Sequence, residues 1–98
     1  MTITKKTDGT ALAIALEGRL DTTTAPQLEN ELKKSLPGIT DFTLDMANLA
    51  YISSAGLRVL LAAQKTMNRQ GEMVLKNVNE EIMDVLDMTG FSDILTIV

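Results

Sequence analysis

The sequence contains no histidine, no cysteine and no tryptophan. Without cysteine there is no disulfide to staple the fold and no thiol to act as a nucleophile, a usage that suits a reducing compartment. Without histidine, the commonest general base and the commonest metal ligand are both missing. Other aromatics are scarce: Phe42, Tyr51 and Phe91 are the only three. The core must therefore be aliphatic, built from Leu, Ile, Val, Ala and six Met. Long hydrophobic runs are also lacking. The longest, Ala11–Leu16 and Val59–Ala63, fall far short of the roughly 20 residues that cross a bilayer. Met1–Asp8 has no apolar centre of the signal-peptide kind. The expectation is a cytoplasmic protein without membrane insertion.

The chain is 98 residues long, the size of a single domain spanning residues 1–98. Its hydrophobic fraction of 45% suffices for one core, and 22% charged residues is not the profile of a disordered chain. The formal charge is −4. No basic arm and no aromatic platform among basic residues is present, so nucleic-acid binding, which draws its affinity from phosphate neutralisation, is not expected; a basic partner surface fits better. Asp and Glu are scattered without the spacing of a metal set. There is no Walker loop and no dinucleotide fingerprint. Neither a metal nor a cofactor is expected, and an enzyme is disfavoured.

Along the chain, Thr2–Thr7 reads as a strand, and Asp8-Gly9 marks a hairpin turn. Ala11–Glu17 follows, with Leu12, Ile14 and Leu16 on one face and Ala11, Ala13 and Ala15 on the other; the small residues predict close packing on that second face. Gly18 is expected to end the strand. Thr24-Ala25-Pro26-Gln27 has the form of a capping box, and Leu28, Leu32 and Leu36 make one helical stripe that Pro37-Gly38 stops. Phe42, Leu44 and Met46 alternate as a third strand, followed by a loop through Asn48. A second helix is predicted over Ala55–Arg69, with Leu57, Leu60 and Leu61 inward and Arg58, Lys65 and Arg69 outward. Glu72–Lys76 reads as a strand, Glu80–Met88 as a third helix closed by Gly90, and Ile94–Val98 as a last strand or extended edge. The class is α/β: a two-layer sandwich with a mixed sheet of four to five strands and helices on one face.

The most informative stretch is Leu49-Ala50-Tyr51-Ile52-Ser53-Ser54-Ala55-Gly56-Leu57, where two hydroxyls stand at the entry to a helix. One reading is helix capping. The other is a phosphate site, since a helix N-terminus offers free N–H groups and a positive dipole end. Gly56 reads either as a close approach of helix to sheet or as room for a partner. Gly18-Arg19-Leu20-Asp21 ends its strand shortly before the next helix. Asp21 is either a turn acid or part of the rim that carries Ser54, the latter if both strands run the same way. Arg58 lies one turn after Ser54 and suits a phosphate or an acidic partner, or simply a solvated face. Ser53-Ser54 is not a nucleophile elbow, because no Gly precedes the serine and no His exists to activate it.

Taken together these residues resemble the STAS family, named after sulfate transporters and anti-sigma factor antagonists. The resemblance runs from about Gly9 to Leu95. It rests on Gly18-Arg19-Leu20-Asp21, on Leu44-Asp45-Met46 leading into Tyr51–Leu57, on Gly71-Glu72-Met73-Val74-Leu75, and on Leu86-Asp87-Met88-Thr89-Gly90-Phe91. It implies a stand-alone anti-sigma factor antagonist in a partner-switching cascade that regulates transcription. The phosphorylated residue would be Ser54, with Asp21, Ser53, Ser54, Gly56 and Arg58 facing the partner. The implied partners are an anti-sigma factor serine kinase and a cognate serine phosphatase. Ser53 stands where the family often has Asp, and Ala55 where it often has Ser or Thr. The family's final helix, expected after the segment matching Phe91–Val98, is not contained in this sequence. The alternative function is an unphosphorylated STAS subunit or scaffold of a transporter or another signalling complex.

Overall fold

A computed structural model describes all residues, Met1–Val98. The element order is β1 (Thr2–Asp8), β2 (Ala11–Leu20), α1 (Ala25–Ser35), β3 (Asp41–Ile52), α2 (Ser54–Gln70), β4 (Glu72–Lys76) and α3 (Glu80–Thr89), followed by a 3-10 turn at Phe91–Asp93. One sheet has the strand order β1-β2-β3-β4. β1 and β2 form the expected antiparallel hairpin, with Asp8 opposite Ala11 and Gly9 at φ +61° in the turn. β2, β3 and β4 are parallel, joined through α1 and α2 in two β-α-β units. The tail adds a short fifth-strand contact: Leu75 bridges Ile97, with Leu75 N–H donating to Thr96 O at 2.8 Å. The mixed α/β sandwich expected from the sequence is therefore present.

The core is aliphatic, as the lack of aromatics requires. Leu12, Ile14, Leu16 and Leu20 of β2 and Phe42, Leu44 and Met46 of β3 are buried against Leu28 and Leu32 of α1, Leu57, Leu60 and Met67 of α2, and Ile82 and Leu86 of α3. The Leu28, Leu32, Leu36 stripe is fully inside. Leu61 of α2 is only half-buried rather than part of the core. The opposite sheet face is not packed as its small residues led us to expect: Ala11 and Ala13 are exposed and Ala15 half-buried.

Two strand readings are corrected. Gly18 does not end β2, which continues to Leu20; at φ +104° it takes a left-handed conformation inside an irregular stretch of pairing. Nor does a loop follow Met46, since β3 runs on to Ile52. Between the pairs Ala15↔Asp45 and Leu20↔Ile52 the register shifts twice, each time with an extra residue on β3. These bulges change the phase of the strand, so that the buried residues after Met46 are Leu49 and Ile52 and alternation is lost. Asp45 steadies the first bulge: its Oδ1 accepts from Ala47 N–H and from Asn77 Nδ2, both at 3.0 Å. The same two donors, Asn77 foremost, hold its carboxyl below the usual carboxylate range.

Candidate functional site

Because β2 and β3 are parallel, both leave the sheet at the same edge, and Leu20 pairs with Ile52. Ser53 N–H donates to Leu20 O at 2.9 Å. The chain segments that carry Asp21 and Ser54 are thereby joined on one rim.

On the first segment the expected capping box does not form. Thr24 has helical backbone angles and no side-chain cap bond. Its hydroxyl instead accepts from Asp21 N–H at 2.9 Å and donates to Arg19 O at 2.7 Å. Gln27 Nε2 donates away from the box, to Met1 O at 3.3 Å. Asp21 shapes the turn before the helix: its Oδ1 accepts from the N–H groups of Thr23 (3.0 Å) and Thr24 (3.1 Å), an Asx turn that leads into α1. The Thr24 N–H is the largest cause of a depressed Asp21 pKa; the Thr23 N–H, the Thr24 hydroxyl and Arg19 act in the same direction. Arg19 pairs with Asp21 Oδ2 at 3.6 Å and lies over the Tyr51 ring, 4.2 Å from its centroid. This Arg19–Tyr51 stack is a feature that reading the motifs one by one missed. The two residues are cross-strand partners across the second bulge, and only the bulged register brings them face to face.

On the second segment Ser53 is the N-cap of α2, with extended backbone (φ −102°, ψ 175°), but its side chain caps nothing. Its Oγ is buried without a hydrogen-bond partner. Ser54 is the first residue of the helix and is exposed. The simple capping reading therefore applies to neither hydroxyl. The first N–H groups of a helix have no intrahelical acceptor, and the first turn of α2 contains no acidic residue to complement them.

Gly56 sits behind Ser54 and is buried. A Cβ at this position would lie 2.7 Å from Leu20 Cγ and 2.9 Å from Ile52 Cγ1. Of the two readings of Gly56, the structure supports close approach of helix to sheet; its position is a correction to the expectation that Gly56 faces a partner. Arg58 is exposed and lines a notch with Thr22, Ala25, Pro26, Glu29, Ala55 and Val59. A larger groove of about 460 Å³ between α1 and α2 shares Glu29 and Val59 with the notch and is lined also by Leu32, Leu36 and Ala63. No cluster of acidic residues, His or Cys is placed to hold a metal ion, and no helix is long and apolar enough to cross a membrane.

The chain matches the STAS domain family model over residues 2–98. It is 38% identical over 94 residues to BtrV of Bordetella bronchiseptica, named as a candidate anti-sigma factor antagonist; the match covers 94% of this chain and 80% of that one. The anti-sigma-B factor antagonist of Listeria monocytogenes is 31% identical over 96 residues, with 95% and 83% covered. Among solved structures, the Bacillus cell fate determinant SpoIIAA in its phosphorylated form superposes with a TM-score of 0.77 at 16% identity, covering 99% of this chain and 91% of that one; at that identity the likeness concerns the fold. With a family match along almost its whole length, a sheet and helix order of the same fold, and a serine pair at the start of α2, the chain belongs to the STAS domain family.

Proposed function

We propose that this protein is an anti-sigma factor antagonist: a binding module, not an enzyme, that switches partners when Ser54 is phosphorylated. The observation that carries the reading is the position of Ser54. It is exposed, it opens a 17-residue helix, and it shares a rim with Asp21 and Arg58, in a chain whose curated relatives are named as antagonists of anti-sigma factors. In its unmodified form the protein binds an anti-sigma factor serine kinase through this rim and along the outer face of α2. The kinase transfers the γ-phosphoryl group of ATP to the Ser54 Oγ; ADP leaves, and the hydroxyl proton passes to a base on the kinase. A serine phosphatase restores the hydroxyl.

Ser53 and Gly56 serve this surface from beneath. Ser53 ties the rim together through its backbone, and Gly56 lets α2 lie close enough to the sheet to hold Ser54 at the rim. The phosphate brings a charge of about −1.5 to −2 near neutral pH. Buried in an interface, it loses hydration and meets any partner acid unfavourably. A penalty of about 4 kcal/mol weakens binding roughly a thousandfold with no change of fold. The experiment is affinity capture from the native cell with this chain as bait, followed by identification of the bound proteins and of modified residues. Capture of a serine kinase together with phosphate on Ser54 supports the reading. Ser53 in the place of an acid favours the other reading, an unphosphorylated subunit of a larger complex. Capture of such a complex with Ser54 unmodified decides for that reading.

A further inference from the structure

We propose that Arg58 is the ligand, within this chain, for the phosphate of a modified Ser54, and that this pairing withdraws Arg58 from the partner surface. The inference rests on the reading of Ser54 as the modified residue and gives that switch a second component: the modification adds an anion and also removes a cation.

Ser54 and Arg58 are four residues apart in α2 and both are exposed. Residues so spaced share one helix face, and helical side chains lean toward the N-terminus. An arginine at position 58 is therefore long enough to reach the first turn, and Arg58 lines a notch together with Ala55, the neighbour of Ser54. Arg58 is also uncommitted. The three ion pairs of the molecule are Lys5–Glu31, Arg19–Asp21 and Lys33–Glu29, none of them on α2. Glu29, the one acid that lines the notch, is bound by Lys33 at 3.4 Å. α2 itself carries Arg58, Lys65 and Arg69 and no Asp or Glu, although the whole chain has a charge of −4. A dianion at Ser54 therefore meets two kinds of free donor: the uncapped N–H groups of the first turn, and a guanidinium whose planar fork suits phosphate oxygens. The buried, unpartnered Ser53 Oγ shows that the chain's own N-cap leaves those N–H groups unserved.

The test places phosphoserine at position 54 during translation, so that no kinase is needed, and follows the 31P shift of the folded protein against pH. The second phosphate ionisation, near 6 in free phosphoserine, is expected at lower pH in this protein. Arg58→Gln should raise the midpoint by about 0.2–0.4 pH unit, the size of an exposed ion pair one helical turn apart read as a proton affinity. Arg58→Lys should restore part of the shift, and Lys65→Gln should leave it unchanged. Equal midpoints for the parent and Arg58→Gln would overturn the proposal and leave the helix end as sole ligand. Because the phosphate is installed without a partner, failure of this contact is distinct from failure of the antagonist reading, which is tested by capture of the kinase.

Discussion

Gly56→Ala sets two forces against each other, and the structure says which wins. Alanine in a helix is favoured over glycine by about 1 kcal/mol, so propensity alone makes the variant more stable. The new methyl, however, would sit 2.7 Å from Leu20 Cγ and 2.9 Å from Ile52 Cγ1. Both of these side chains are buried and neither contact is with a freely swinging end, so α2 must lift or the sheet edge must shift. Overpacking of this kind costs about 1–3 kcal/mol, which leaves a net loss of about 1 kcal/mol. For a domain of this size the loss lowers Tm by about 4–8 °C, read by thermal denaturation followed by circular dichroism. In a Leu20→Ala background the nearer of the two obstructions is gone while Ile52 Cγ1 remains, so Gly56→Ala should cost clearly less than in the parent; the double-mutant cycle should show coupling of about 1–2 kcal/mol. A rise in Tm for Gly56→Ala alone would refute the close approach of helix to sheet, and with it the account of how Ser54 is held at the rim.

Three further expectations follow from individual hydrogen bonds. Gln64 is buried with an unpartnered Oε1, while its Nε2 serves only Asn68. Gln64→Leu should stabilise the protein by about 1 kcal/mol, seen as a higher urea midpoint with unchanged slope. Asn79 caps α3 by accepting from Ile82 N–H at 2.9 Å and holds β3 by donating to Leu49 O at 2.9 Å; Asn79→Ala should cost about 1–2 kcal/mol in the same assay. Asp21 has a folded-state pKa below its ordinary 3.8, so its contribution to stability is complete above that value and is lost as pH falls through the lower folded pKa. A carboxyl NMR titration of Asp21 should show a midpoint below 3.8, and Asp21→Asn should remove that part of the acid dependence; a midpoint at or above 3.8 would contradict the Asx turn.

The residues that announced themselves in the sequence were those whose packing follows one regular period. Leu28, Leu32 and Leu36 lie where a helical stripe puts them, and Met73 and Leu75 where strand alternation does. The places that were not legible break a period by one residue. The two extra residues of β3 erase its alternation after Met46, so a strand end resembled a loop, and Gly18 resembled a stop because a glycine in a bulge and a glycine after a strand look alike in sequence. Cap chemistry failed for a related reason. Thr24 has the right neighbours for a capping box, but its own N–H, which Gln27 would serve, is taken by Asp21 Oδ1, and its hydroxyl is engaged by Asp21 N–H and Arg19 O. Of the candidate site, the rim itself was readable once Asp21 and Ser54 were placed after parallel strands. The inward orientation of Gly56 and the Arg19–Tyr51 stack depend on how helix and strands pack, which local patterns do not encode.

The central claim is that modification of Ser54 releases a bound kinase. Its most direct measurement captures the partner from the native cell on immobilised wild type and on immobilised Ser54→Ala, and then adds ATP with magnesium. The wild type should gain one phosphate, mapped by mass spectrometry to Ser54, and release the kinase, while Ser54→Ala gains none and retains it. Equal release from both baits, or a phosphate mapped to Ser53 or Thr24 instead, would contradict the account.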